Sequence, residues 1–233
     1  MKSLGHHPLS ISSRQLVWLL LLLIAGSVLG VGLISVRFIA SGRFAYFNLV
    51  WNLILAWVPV GFAMLAWRLK TSRFALLTCG FLWLLFFPNC GYILTDLVHL
   101  RERPPVPFWF DLVLIQSFIS LGLVLGFVSL YKMQHLVATF FGRWASWLFV
   151  LLVIGLTGFG IYLGRVQRWN SWDLFVSPID LFTDIFRLMF RPHRRTVGIY
   201  SLLYASFFFA AYACLYLLTH FKTEKRIIEN VVD

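Results

Sequence analysis

The chain has 233 residues, 60% of them hydrophobic and only 12% charged, about half the charged share of a soluble domain. With a mean hydropathy of +0.83, that balance excludes an ordinary soluble enzyme or binding module and points to a single polytopic membrane domain. The net charge of +11 would suggest nucleic acid in a soluble protein. Here Lys and Arg fall between apolar runs without a basic run or RNA-binding signature, so anionic headgroups of the lipid bilayer are the expected partners and nucleic acid is not.

In chain order, six segments are apolar and long enough to cross a bilayer, each needing about 20 residues. They cover Leu16–Val36, Tyr46–Trp67, Phe74–Leu94, Phe108–Tyr131, Trp144–Leu163 and Ile199–Thr219. The predicted fold is therefore all-α: a bundle of about six transmembrane helices in one domain, 1–233. The first span follows Lys2 and Arg14 like a signal peptide, but its apolar run exceeds the roughly 7–15 residues of a signal core, so a retained span is expected. His6 and His7, ahead of it, are expected in a mobile tail. The pairs Gly26/Gly30, Gly122/Gly126 and Gly160/Gly164 have GxxxG spacing, which lets helix backbones approach closely in lipid. Pro59 is expected to kink the second span and Pro88 to break or bend the end of the third. Between spans five and six, Ser177-Pro178-Ile179-Asp180 reads as a helix start. It opens an amphipathic helix over about 178–190, with Asp180, Asp184, Arg187 and Arg191 on one face and Phe182, Ile185, Phe186 and Met189 on another. That helix is expected to lie in the membrane interface, with re-entry of the 174–190 segment as the alternative. In the last span Tyr200, Tyr204, Phe208, Tyr212 and Tyr216 recur every four residues, as a packing and anchoring row.

Cys79, Cys90 and Cys214 all lie within apolar segments, with neither a disulfide framework nor a metal-type spacing. Polar residues in such a chain are costly and mark sites. They gather in three places: Asn48 and Asn52, Pro88 to His99, and Arg165 to Asp173. With six crossings these outcrops and Asp111 fall at one membrane face. Basic residues divide evenly between the two sides, ten and ten. The short anchors Arg68–Arg73 and Phe221–Arg226 favour both termini inside, with the polar face outside a bacterial plasma membrane.

Three stretches also resemble a known family. Pro88-Asn89-Cys90-Gly91-Tyr92-Ile93-Leu94-Thr95-Asp96-Leu97-Val98-His99-Leu100 is similar to one signature of a domain-of-unknown-function family of bacterial multi-pass membrane proteins. Gly160 to Asp173 and Asn52 to Pro59 resemble two others, and the likeness runs from about Phe47 to the last span. A Pro often precedes the motif tyrosine in that family, where this chain has Gly91. The resemblance implies a shared fold and brings no activity or cofactor with it.

The motif residues admit several chemistries. Asp96 and His99, one helical turn apart, and Asp111 are the candidates for acid–base or metal work, although Asp96 serves equally as a helix cap or an arginine partner. Asn52, Asn89, Tyr92, Arg165, Arg168, Asn170 and Asp173 are the candidate binding residues. Arg165 and Arg168 present a guanidinium fork to an anion, or else anchor the helix end or pair with Asp96, Asp111 or Asp173. Asn48 and Asn52 suit hydrogen bonds between helices. Trp51, Trp57, Trp169 and Trp172 suit the aromatic belt. Asn170 to Asp173 suit a capped turn. No metal site is assigned. The leading reading is a non-catalytic scaffold, assembly partner of a membrane protein, or headgroup binder. A membrane enzyme acting on a lipid-linked or anionic substrate is the alternative and a small-solute transporter the third.

Overall fold

The computed structural model describes residues 13–190 and 194–232, so Lys2, His6, His7 and Arg191 lie outside the described residues. Among them the chain is helical without a β-strand. The elements are α1 (Ser13–Ser41), α2 (Phe47–Arg68), α3 (Arg73–Phe86), α4 (Pro88–Tyr92), a 3₁₀ turn (Ile93–His99), α5 (Phe108–Arg165), α6 (Asp173–Val176), α7 (Pro178–Phe190) and α8 (Arg194–Val232). Five of these regions are long and apolar enough to cross a membrane, and the chain is a membrane protein.

α5 supplies two of the membrane-length segments. Its 58 residues would extend about 87 Å if straight, against a hydrocarbon core of about 30 Å. Gly142 breaks it at φ 83°, ψ 175°, a backbone conformation that costs glycine little. The arms 108–141 and 143–165 fold back on each other, burying Leu130, Met133, Val150, Val153 and Ile154 in one cluster. The six-span bundle drawn from hydropathy is thus formed by five regions, one of them doubled back.

α2 runs through the middle. It buries Leu49, Leu53, Ala56, Val60, Ala63 and Ala66, a stripe whose alanines let neighbours approach closely, which matters in lipid because tail burial adds little driving force. Pro59 is buried inside α2, which continues through it. Pro88, by contrast, ends α3: a proline has no N–H for the helix ladder and its ring clashes with the preceding turn. The chain restarts as the short α4 and tightens into the 3₁₀ turn.

The glycine pairs work differently from a simple helix dimer. Gly26 and Gly30 bring α1 onto Leu121 and Phe118 of α5, with Cβ positions only 2.7 and 3.1 Å from those side chains. The other two pairs grip the motif segment from opposite arms of α5. A Cβ on Gly122 or Gly126 would lie 2.8 Å from Ile93 or Cys90, and one on Gly160 or Gly164 would lie 2.8 or 3.1 Å from Pro88 or Tyr92. Gly91 itself packs against Phe208 and Ile161. Broken backbone is therefore placed where protein, not lipid, surrounds it, as a bilayer requires.

α7 starts at Pro178, as its sequence predicts, and its Asp184–Arg187 pair is an exposed contact of 3.6 Å. Ile179, Phe182, Phe186 and Phe190 are exposed while Leu181 and Leu188 are buried, the pattern of a helix lying with apolar side chains in the interface. The aromatic row of α8 is mainly a packing seam: Tyr212 is 2% exposed and donates to Gln134 Oε1 at 2.5 Å.

Candidate functional site

Asp96 is held in the 3₁₀ turn, 2% exposed, between two side chains from distant parts of the chain. Asn52 of α2 donates to its Oδ2 at 2.7 Å, and Arg165 at the end of α5 donates to its Oδ1 at 3.3 Å. Arg165 also donates to the Thr95 carbonyl at 3.0 Å and to the Tyr92 hydroxyl at 3.4 Å, and lies 2.8 Å from His99 Nε2. One guanidinium thereby ties the 3₁₀ turn to the second arm of α5. Of the alternatives left by the sequence for Asp96, the geometry takes the arginine partner, and that partner is Arg165.

Asp111 belongs to a second knot. Arg37 grips it in a fork, Nε to Oδ1 at 2.6 Å and Nη2 to Oδ2 at 2.9 Å. The two side chains are 2% and 1% exposed. Arg37 and Arg103 lie 5.0 and 4.7 Å from the ring centre of Tyr46, whose hydroxyl donates to the His99 carbonyl at 3.4 Å. Tyr46 holds φ 64°, a left-handed conformation uncommon outside glycine and costly unless its surroundings fix it.

A third set pins the segment after α5. Asn89 donates to Ser171 Oγ at 3.0 Å and to the Phe86 carbonyl at 2.9 Å. Ser171 donates to the Leu85 carbonyl at 3.0 Å. Carbonyls at the Pro88 break are thus capped by motif side chains. Trp172 meets Trp51 edge-on at 6.2 Å. Asp173 accepts from the Asn170 backbone at 2.7 Å and side chain at 3.2 Å, closing its own turn. Arg168 is exposed, at φ 64°, and Asn48 is exposed as well.

Between these anchors lies a cavity of about 380 Å³, walled by α2, α3, α4, the second arm of α5 and the α6–α7 segment. Asn52, Asn89, Tyr92, Trp169, Asn170 and Ser171 line it towards the membrane face, and Leu55, Phe81, Leu84, Leu85, Leu156 and Phe159 line it deeper in. Leu181 and Ile185 of α7 complete the wall. Phe81 and Leu156 lie eight residues before Asn89 and Gly164, so the cavity descends roughly 12 Å at 1.5 Å per residue.

Of the sequence-predicted residues, Asn52, Asn89, Tyr92 and Asn170 line the cavity. Asp96 and Arg165 stand behind its polar wall, whereas His99, Asp111, Arg168 and Asp173 do not line it. No three His, Cys, Asp or Glu side chains among the described residues are grouped as a metal would require. Sequence reasoning missed Arg37, counted as a loop cation although a lone charge ending a 20-residue apolar run is itself a signal. Trp169, expected in the aromatic belt, also lines the cavity.

The sequence model of one protein family matches residues 51–224, a stretch that contains all three motif segments. The chain belongs to the DUF1361 family. That family is described as a protein of unknown function. No curated protein and no solved structure matches the chain.

Proposed function

We propose that this protein is a non-catalytic membrane protein that holds a lipid in the cavity between α2, α3 and the second arm of α5. The observation that carries the reading is the division of that cavity: hydrogen-bonding groups at the membrane-face end and aliphatic and aromatic side chains below, matching a headgroup and the start of an acyl chain. Its volume falls in the range of small-molecule sites. The acids that a hydrolytic reading would need are engaged elsewhere: Asp96 by Asn52 and Arg165, Asp111 by Arg37, Asp173 by Asn170. In this reading the motif charges stabilise the frame, and the frame shapes the cavity.

The orientation that fits is N-in and C-in in a bacterial plasma membrane, with the motif face outside. Arg68, Lys70, Arg73, Lys132 and Arg143 lie on the opposite face, and no carboxylate among the described side chains accompanies them. Lys70 and Lys132 sit 4.5 and 5.6 Å from the Trp67 ring centre. On the motif face Arg37 and Arg165 are tied into internal pairs with Asp111 and Asp96.

Native mass spectrometry of detergent-purified protein tests the reading, comparing wild type with Leu84→Trp, which fills the cavity. One lipid retained per chain by wild type and lost in the variant, at an unchanged melting temperature, is the expected result. Equal retention by both overturns the lipid site. A retained lipid that changes mass on incubation with wild type overturns the non-catalytic part.

A further inference from the structure

We propose that the cavity selects an uncharged amphiphile, one whose headgroup offers hydroxyl groups, over a phosphate- or carboxylate-bearing lipid; this rests on the reading of the cavity as a lipid site. None of the residues lining the cavity is charged. Asp96 and Arg165 form a pair behind the wall. Both oxygens of Asp96 are engaged, and the Arg165 donors point to Asp96, Tyr92, Thr95 and His99. An anion entering the cavity would lose water without meeting a charged side chain on the lining, which is strongly unfavourable in a low-dielectric site.

The hydrogen-bonding groups left on the wall specify the ligand further. The Asn52 amide nitrogen serves Asp96 and the Asn89 amide nitrogen serves Phe86 and Ser171, so each presents its amide oxygen as an acceptor. The Tyr92 hydroxyl, which accepts from Arg165, retains its proton to donate. Two acceptors and a donor match a headgroup that both donates and accepts, as hydroxyls do. Phosphate diesters and carboxylates only accept, and would face the two amide oxygens with lone pairs against lone pairs. At the deeper end Phe81 and Leu156 are 51% and 52% exposed. An acyl chain therefore leaves the cavity sideways between α3 and the second arm of α5 into the bilayer, and only the headgroup and upper chain need fit inside.

The test is competitive retention by the full chain in mixed micelles, read by native mass spectrometry. The probes are dioleoylglycerol, dioleoylphosphatidylglycerol and dioleoylphosphatidic acid at equal concentration. The expected result is dioleoylglycerol retained at least about tenfold over either anionic lipid. Tyr92→Phe, which removes the hydroxyl donor, and Asn89→Leu, which removes an amide acceptor, each lower that retention by about threefold to tenfold. Preferential retention of an anionic lipid that is lost in Leu84→Trp overturns the selectivity and leaves the lipid site standing. Retention of all three probes equally by wild type and by Leu84→Trp removes the site and the selectivity together. Diacylglycerol retention unchanged by both Tyr92→Phe and Asn89→Leu overturns the assignment of the polar end.

Discussion

Removing one partner of the Arg37–Asp111 pair is the most demanding perturbation of the frame. Both side chains are almost fully buried, at 2% and 1% exposure, and share two hydrogen bonds of 2.6 and 2.9 Å. Asp111→Asn leaves a guanidinium in an apolar bundle with no counter-charge, which costs about 3–5 kcal/mol. Arg37 Nη1 already lacks a partner, so nothing nearby stands ready to replace the lost carboxylate. At about 1.4 kcal/mol per decade, the folded-to-unfolded ratio falls by roughly two to three and a half orders of magnitude. The double variant Arg37→Met/Asp111→Leu behaves differently: it removes both desolvated charges and keeps volume, so it ends near wild type or above it. The assay is the melting temperature and the monodisperse fraction of detergent-solubilised protein for the two singles and the double. A single variant that melts with wild type, or a double no better than the worse single, refutes the claim that this pair is a buried, mutually dependent contact.

Further outcomes follow from the same geometry. Asn52→Leu deprives a buried Asp96 oxygen of its donor and lowers stability by about 1–3 kcal/mol, measurable by the same melt. Gly160→Ala places a methyl 2.8 Å from the Pro88 ring, which cannot swing aside, and costs about 1–3 kcal/mol. Gly155→Ala, with nothing within 4 Å, stays within about 0.5 kcal/mol of wild type. Cysteines introduced as Ser72→Cys and Glu102→Cys label from opposite sides of the membrane. In intact cells a membrane-impermeant maleimide reaches only the Glu102→Cys position if the motif face is external.

Much of the architecture is legible in the amino-acid sequence because a bilayer forces it. Long apolar runs must be helices, and parity then brings Asn52, Asp96 and Arg165 to one level, where they do meet. The start of α7 is equally local, written in Ser177-Pro178. What lies beyond that reading is pairwise and long-range. Hydropathy treats Arg37 as the end of a span, and only tertiary packing turns it inward to Asp111, 74 positions away in the chain. GxxxG spacing announces close approach without naming what approaches, and here two of the pairs clasp the short α4 rather than another long helix. Trp169 suits a belt by composition, and its place on the cavity wall follows from the turn that Asp173 and Asn170 close beside it. The cavity arises from Pro88 ending α3 and from Ser171 pinning the following segment over the gap, a conjunction that no single stretch of sequence contains.

A density map of the protein in lipid nanodiscs decides whether the motif frame shapes a cavity for a lipid. Elongated density is expected between Leu55, Leu84 and Leu156, ending in a headgroup within hydrogen-bond distance of the Tyr92 hydroxyl and the Asn89 amide, and leaving between Phe81 and Leu156. A cavity closed by the side chains of Leu181, Ile185 and Trp169, with lipid density confined to the outer surface, would contradict it.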